Sequence, residues 1–312
     1  MEIIFDIAQH SYAQPKAVTV GFFDGVHIGH RFLIRELQRV AAETALKTAI
    51  ITFSGHPRKV LHPDYCPQLI TTNEEKMEAF TALSVDYCYI LPFTSDLAAM
   101  PAKEFMKTIL KEQIGASVLL IGYDHRFGKD RSESFDDYVK YGDELGIKVI
   151  AAPRLLEGDE ASSSSAVRRL ILAGKMREAA ALLARPYQIT GVVAPGHKVG
   201  REIGFPTANL QLPAEKILPP EGVYAVNVRM PQNYGGMLYI GKRPTLNNGE
   251  EKSIEVNIFD FIGDIYGCEL TIEIVERIRD DIRFDSVAAL KKQLEADKGV
   301  ALSILKQAKN TD

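Results

Sequence analysis

Two histidines three residues apart stand at the densest chemical signal of the chain, Gly21-Phe22-Phe23-Asp24-Gly25-Val26-His27-Ile28-Gly29-His30. The segment follows a short apolar run and opens an amphipathic one, so it reads as the turn between a strand and a helix. Ligands of α/β sheets sit at such turns. Gly21, Gly25 and Gly29 let backbone approach a ligand closely. His27 and His30 fall in the first turn of the helix, where free N–H groups and the positive end of the dipole already favour anions. That arrangement suits clamping a triphosphate and stabilising the charge of a departing pyrophosphate. A zinc pair on a helix usually brings a third ligand and another spacing. On the residues alone, a plain strand–turn–helix with incidental histidines stays open.

A second signal is the glycine-rich stretch from Gly191 to Asn209, with Gly196, Gly200 and Gly204 at irregular spacing. Gly200 and Gly204 allow amides to curl around phosphates. Thr207 and Asn209 each offer a hard oxygen. Together with nucleotide phosphates they suit Mg²⁺, which takes few protein ligands. In isolation, such a loop is more often an ordinary connection between strands. A third signal is Ser162–Ser165 followed by Arg168. Ser163, Ser164 and Ser165 suit a helix start and can donate to phosphate oxygens, and Arg168 can grip phosphate with its fork. Its bland counterpart is a flexible serine-rich linker.

The elements that must position these residues divide the chain in two. Ala17–Phe22, Thr48–Phe53, Asp86–Leu91, Ser117–Gly122 and Ile147–Ala151 read as buried strands. Between them His30–Lys47, Asn73–Leu83, Ala102–Lys111 and Phe135–Leu145 read as helices; in the first, Leu33, Leu37, Val40 and Ala41 share a face. This alternation predicts a doubly wound parallel sheet covered on both faces. Val167–Arg185 also reads as helical. Beyond it Gln188–Val193, Val223–Met230, Leu238–Ile240, Ile254–Phe259 and Leu270–Ile278 alternate as strands, and a helix from Ser286 to Lys306 closes the chain with Ser286 as its N-cap. The second half is therefore expected to be a small antiparallel β-barrel with a C-terminal helix packed on it. The expected domains are 1–180 and 185–312.

Composition sets the outer limits. The 312 residues suffice for two cores, and 46% hydrophobic with 25% charged residues is ordinary for a globular protein. A net charge of −4 offers no general attraction to nucleic acid or to an anionic membrane, so neither is expected as a partner. Cys66, Cys88 and Cys268 are scattered, without a CxxC pair, and predict a reduced, cytoplasmic protein. No apolar run approaches the roughly 18 residues of a membrane span, and Met1–His10 does not read as a signal peptide. GxGxxG after the first strand and GxxxxGK[ST] are both absent, so any nucleotide is bound by other means.

The motifs resemble one family along residues 15–305. The first segment is similar to the HxGH motif of nucleotidyltransferases, and in its longer form GxFDGxHxGH to the adenylyltransferase half of bacterial FAD synthetases. Thr52–Pro57 resembles that family's TFxxHP segment, Gly122–Gly128 its GxDFxFG segment, and Ser163–Arg168 its SSTxxR segment. Phe22 stands where the family usually has Asn, His125 where it has Phe, and Ser165 where it has Thr. Arg131–Ser134 lacks the family's Gly-Asp. The second glycine-rich stretch resembles the GxxxGRxxGFPTAN signature of riboflavin kinases. Gly222–Tyr224, Ile240–Thr245, Ile254–Val256 and Arg279–Phe284 resemble later kinase segments. Asn257 stands where His is common, and Asp281 and Arg283 vary the RxExKF loop.

The resemblance implies a bifunctional riboflavin kinase/FMN adenylyltransferase. Its first half would form FAD and pyrophosphate from FMN and ATP, and its second FMN and ADP from riboflavin and ATP, with Mg²⁺ accompanying ATP. Flavins would be substrates and products rather than prosthetic groups. His27, His30 and Arg168 would serve adenylylation; Gly21, Phe22, Asp24, Gly25, Gly29 and Ser163–Ser165 would line its nucleotide. Asp124 and Phe127 would meet flavin there, and Arg279, Asp281 and Phe284 would meet it in the kinase half. Glu255 matches the family's catalytic base, and Thr207 and Asn209 are the expected metal ligands. A carboxylate suits that place, because the alcohol of riboflavin needs its proton removed whereas the phosphate of FMN is already anionic. Two other expectations compete: a kinase with a degenerate first domain, and a flavin-binding module without catalysis. Oligomeric state is not legible.

Overall fold

The computed structural model describes residues 1–7, 14–55, 68–123, 125–153, 162–195, 200, 203–242 and 252–309. The chain forms two compact units, Met1–Ser163 and Ser164–Asp312.

The first unit holds a six-stranded sheet made of β1 (Glu2–Ile4), β2 (Lys16–Val20), β3 (Lys47–Phe53), β4 (Tyr87–Leu91), β5 (Ala116–Ile121) and β6 (Lys148–Ala151), ordered β1-β4-β3-β2-β5-β6. Every pairing is parallel. β2 is buried throughout and β3 at all but its first residue, as a sheet covered on both faces requires. One face carries α1 (Ile28–Glu43) and α2 (Asn73–Ala82). Ile34 and Phe80 meet Ile50 and Ile90 there, and Leu37 and Val40 meet Ala17 and Leu120. The other face carries α4 (Ala102–Phe105), which follows the short α3 (Ser95–Ala99) and continues as a π-helix over Met106–Ile114. Phe105, Met106 and Leu110 pack there with Val18, Ile51 and Leu119. α5 (Phe135–Leu145) starts with a capping box of Ser134 and Asp137 and packs on β6. From β2 the chain moves outward through β3 to β4, then crosses back to β5 on the other side of β2. The order reverses between β2 and β5, which is where such sheets open a crevice at the carboxyl ends of the strands.

The second unit begins with α6 (Ser164–Leu172) and α7 (Met176–Leu183) and then closes a barrel. Its strands are β7 (Tyr187–Ala194), β8 (Ala208–Gln211), β9 (Gly222–Arg229), β10 (Tyr234–Lys242), β11 (Lys252–Ile258) and β12 (Glu269–Asp280), in the order β10-β11-β8-β7-β12-β9. All of its pairings are antiparallel. α8 (Val287–Lys309) lays Ala301 and Leu305 on Val223, Ala225 and Met237. The Ser286 hydroxyl accepts from the Ala289 amide at 3.1 Å, the cap expected from the sequence.

Both expected architectures are present. The differences lie in short elements. β1 and β8 were not foreseen: one has three residues and the other four, and β8 starts inside the last two residues of the glycine-rich stretch read as a loop. Phe22 lies beyond β2, and α1 starts at Ile28 rather than His30.

Candidate active sites

The first site is built on the turn from β2 to α1. The Gly21 amide makes a last bond to the Ile51 carbonyl at 3.0 Å, and the chain then leaves the sheet. Three residues of the turn take positive φ: Phe23 (55°), Gly25 (84°) and Val26 (44°). Glycine accepts that region freely, whereas for a buried β-branched residue such as Val26 it is strained. Bonds from outside hold the turn. Asp24 Oδ1 accepts from the amides of Ile70 and Thr71 at 2.9 and 3.1 Å, and the Gly25 amide donates to Thr71 Oγ1 at 3.0 Å. The Phe22 carbonyl accepts from Thr52 Oγ1 and Lys76 Nζ, both at 3.2 Å.

The turn delivers His27 to the N-cap of α1, and His30 follows one turn later. Their rings stack, with centroids 3.7 Å apart, and the Phe23 ring meets His30 edge-on at 5.1 Å. Burial of the imidazole pushes the pKa of His30 well below the ordinary value, and His27, His125 and Lys76 add to the effect. His30 is therefore neutral at pH 7. His125 follows β5, and its amide closes a turn onto the Gly122 carbonyl at 3.0 Å. It contributes a third imidazole to the surroundings of His30, at the position where the resemblance expects Phe. At Gly29 an ideal Cβ would lie 3.2 Å from the Ser162 carbonyl and from the His27 ring. Glycine there lets the start of the serine run approach the start of α1. Ser163 ends the first unit, and Ser164, Ser165 and Arg168 lie on the first turns of α6.

Phe127 is buried, with its ring 4.5 Å from Tyr138 and 5.5 Å from Phe105. The Tyr138 hydroxyl donates to its carbonyl at 2.8 Å. Asp124, His56 and Pro57 lie outside the described residues. A cleft of about 560 Å³ opens at the carboxyl ends of β1 and β4, lined by Ile7, Leu91, Leu97, Met100 and Ile109.

The second site centres on Glu255 of β11. Its Oε2 accepts from Thr207 Oγ1 at 3.0 Å and its Oε1 from Ser253 Oγ at 2.7 Å. Strand register places Asn209 and Tyr239 on either side of Glu255. The turn that leads to Thr207 is tight. The Phe205 amide donates to the Gly200 carbonyl at 2.8 Å, and a Cβ at Gly200 would lie 2.2 Å from the Phe205 carbonyl oxygen. Gly204 has φ +84°, and Asn257 Nδ2 secures the Pro206 carbonyl at 2.7 Å. Gly196, Arg201 and Arg243–Thr245 lie outside the described residues.

The residues expected to meet flavin in this half lie at the end of β12 and just beyond it. Arg279 forks onto the buried Asp297, with Nε–O distances of 2.9 and 3.1 Å, and its guanidinium lies 5.8 Å from the centre of the Phe284 ring. The Tyr239 hydroxyl is pushed up to about 12, first by burial and then by the carboxylates of Asp281, Glu255 and Glu221. Asp281 and Glu255 thus share a neighbour. Sequence reasoning missed Ser253, Tyr239 and Lys76. The alternation of β11 puts Ser253 on the face of Glu255, which was a usable signal. Tyr239 and Lys76 gave none.

Magnesium fits the donors present. Thr207 commits its hydroxyl proton to Glu255, which leaves oxygen lone pairs for a cation, and Asn209 adds a neutral amide oxygen. Among the described residues no three His, Cys, Asp or Glu side chains converge on a metal site. Two neutral oxygens are what a cation that arrives with a nucleotide needs.

Comparison with known proteins matches both halves. Residues 9–166 fit the family model of FAD synthetase, and residues 183–305 that of riboflavin kinase. The bifunctional riboflavin kinase/FMN adenylyltransferase of Bacillus subtilis is 37% identical over 298 residues, covering 93% of this chain and 92% of that one. Its counterpart from Listeria monocytogenes is 35% identical, covering 90% of each. A crystal structure described as a macrolide-efflux protein from Streptococcus pneumoniae superposes with a TM-score of 0.85 at 34% identity, covering 96% of this chain and 97% of that one. Among the described residues of this chain no helix is long and apolar enough to cross a membrane. With two family models in tandem and relatives matched end to end, the chain belongs to the bifunctional riboflavin kinase/FMN adenylyltransferase family.

Proposed function

We propose that the chain makes both flavin coenzymes, FMN in its barrel and FAD in its α/β unit. The observation that carries the reading is that each signature forms its own site. A stacked histidine pair stands at the start of α1, and a doubly hydrogen-bonded glutamate stands beside Thr207 and Asn209. A protein that only bound flavin would need neither.

In the barrel, Glu255 takes the proton of the terminal ribityl hydroxyl as that oxygen attacks the γ-phosphorus of ATP, and ADP leaves. Thr207 and Ser253 occupy one lone pair of each carboxylate oxygen and fix its direction. Thr207 and Asn209 would hold Mg²⁺, which would supply neutralisation of phosphate charge when it arrives with ATP. Gly196, Gly200 and Gly204 give the phosphates backbone amides, and Arg279, Asp281 and Phe284 border the flavin.

In the α/β unit, a phosphate oxygen of FMN attacks the α-phosphorus of ATP and pyrophosphate leaves. The nucleophile is already anionic, so the protein has only to align it and to stabilise charge. The amides at the start of α1 and the rings of His27 and His30 do so. Ser163, Ser164, Ser165 and Arg168, which continue the chain from Ser162, add donors for the phosphates. Asp24 shapes the nucleotide turn rather than acting as a base, a role its bonds to Ile70 and Thr71 support. The cleft at the ends of β1 and β4, mostly apolar but with Asp6, Thr94, Asp96 and Gln113 in its lining, has room for the isoalloxazine ring. Phe22 does not argue for a degenerate site, because its backbone carbonyl, present in any residue, takes the bonds from Thr52 and Lys76. Scattered thiols and soluble substrates support a cytoplasmic setting for both reactions.

Incubation with riboflavin and Mg-ATP, followed by chromatography of the flavins, tests the whole reading. FMN and FAD should appear in succession. FMN alone would leave only the kinase, and unchanged riboflavin would leave a binding module.

A further inference from the structure

Lys76, on the first turn of α2, is one of the most deeply buried side chains of the first unit, with 2% of its surface exposed. Its Nζ donates to the carbonyls of Phe22 and Phe53 at 3.2 and 3.3 Å and lies 4.6 Å from the centre of the Phe22 ring. Among the described residues no carboxylate pairs with it. Asp24 is close enough to be felt, but its Oδ1 is directed to Ile70 and Thr71. The other titratable groups that face the ammonium are His30 on α1, the Cys88 thiol on β4 and Glu74 on its own helix.

A fold that needed only packing here would use methionine or leucine, because burying an ammonium without a counter-ion is costly. The place of the two carbonyls suggests what the charge is for. Phe53 ends β3, and Phe22 lies in the turn from β2, the neighbouring strand. Lys76 therefore ties the strained turn, with Phe23 and Val26 at positive φ, to the body of the sheet. Backbone strain of this kind persists only where the surroundings enforce it. The same turn leads directly to His27 at the N-cap of α1 and to His30.

We propose that Lys76 is a positioning residue for adenylyl transfer, holding the Gly21–His27 turn so that the α1 amides and both imidazoles face the nucleotide phosphates. The proposal rests on the reading of that turn as the adenylylation site. It deepens that reading by making the site depend on a group that touches neither substrate. Burial lowers the pKa of Lys76 to about 8, so the tie is intact at neutral pH and loosens as the amine loses its proton above that value.

The test uses the full chain, with the kinase half as internal control. FAD formation from FMN and ATP is measured from pH 6.5 to 9.5 for wild type, Lys76→Met and Lys76→Gln, alongside FMN formation from riboflavin and a melting curve. Misplacing a reacting group by about 1 Å costs about 10²-fold. Lys76→Met should lose about that much in kcat for FAD formation at pH 7, while FMN formation stays at the wild-type rate. Lys76→Gln, a neutral donor to the same carbonyls, should recover part of the loss. Wild type should lose FAD formation above about pH 8, and that alkaline limb should be missing from both variants. If Lys76→Met does not fold, the wild-type and Lys76→Gln profiles decide. Lys76→Met within threefold of wild type, or the same limb in a variant as in wild type, overturns the proposal. Wild type without any FAD formation would instead overturn the reading of the site.

Discussion

Glu255 and the His27/His30 pair divide the chemistry according to the state of the nucleophile. An alcohol needs a base and a phosphate does not, so the two reactions should respond differently to loss of one carboxylate. Glu255→Gln keeps shape and hydrogen-bonding reach but cannot take a proton, and loss of a general base costs about 10²–10⁴ in rate. FMN formation from riboflavin should fall by that amount, while FAD formation from supplied FMN stays near wild type. Parallel chromatographic assays from each flavin check this; normal turnover of riboflavin would remove Glu255 from the role. Lys76 carries a second expectation, concerning stability. The unfolded chain holds this proton with the ordinary pKa of 10.5, the folded protein with a pKa of about 8. Folding is therefore penalised below about pH 8, and the penalty fades as pH rises towards 10.5. At about 1.4 kcal/mol per pH unit, the cost at neutral pH is on the order of 3 kcal/mol. Lys76→Met should melt above wild type at pH 7, by a margin that narrows at pH 10. An equal margin at both would show that the ammonium is not strained. His27 and His30 stood out in the sequence because they share a dense motif, and Glu255 stood out only through the likeness of its strand to a kinase segment. Lys76 did not, because Asn73-Glu74-Glu75-Lys76 has the composition of a solvated helix start and only the fold turns its fourth residue inward.

Helices and strands with strong patterns were equally legible. The apolar runs of β2, β3 and β5 and the face of α1 carried their own signal, because a parallel sheet buries both sides of its strands. Short elements carried little. β8 owes its place to closure of the barrel between β7 and β11, which no four-residue window can announce. Nor does the sequence announce that the helix begun at Ala102 widens to a π-helix from Met106. Close approaches between elements were hidden as well. Gly142 on α5 is such a case: an added Cβ would lie 2.4 Å from the Ile147 carbonyl oxygen and 2.6 Å from Val149 Cγ2. Both atoms belong to the path of the chain into β6, so α5 would have to lift. Gly142→Ala should destabilise the first unit by about 1–3 kcal/mol, the usual cost of overpacking. Calorimetry checks this. The transition assigned to the first unit should move down and that of the barrel should stay; an unchanged first transition would mean that α5 shifts without cost.

The whole chain separates its two reactions along its length. The adenylylation motifs up to Ser163 lie in the first unit and the kinase motifs in the second, while Ser164, Ser165 and Arg168 of the adenylylation set open the second unit. α7 buries Met176, Ala179 and Leu183 and packs on β7 and β12, so this helix covers the barrel. A fragment of residues 185–312 should phosphorylate riboflavin without making FAD. A fragment of residues 164–312, which keeps α6 and α7, should do the same and melt higher. FAD from either fragment, or FMN from neither, would break the assignment of one reaction to each half. The division into a parallel sheet and a barrel was legible because strand–helix alternation gives way to strands alone after about Arg185. The barrel has no edge strand. The sheet has two, but β1 is three residues long and β6 four, and β6 begins with an exposed lysine. Long, unpaired edges are templates on which a second chain can add its own strand, and short, charged ones are poor templates. Among the described residues, the strands therefore offer little footing for growth into fibres.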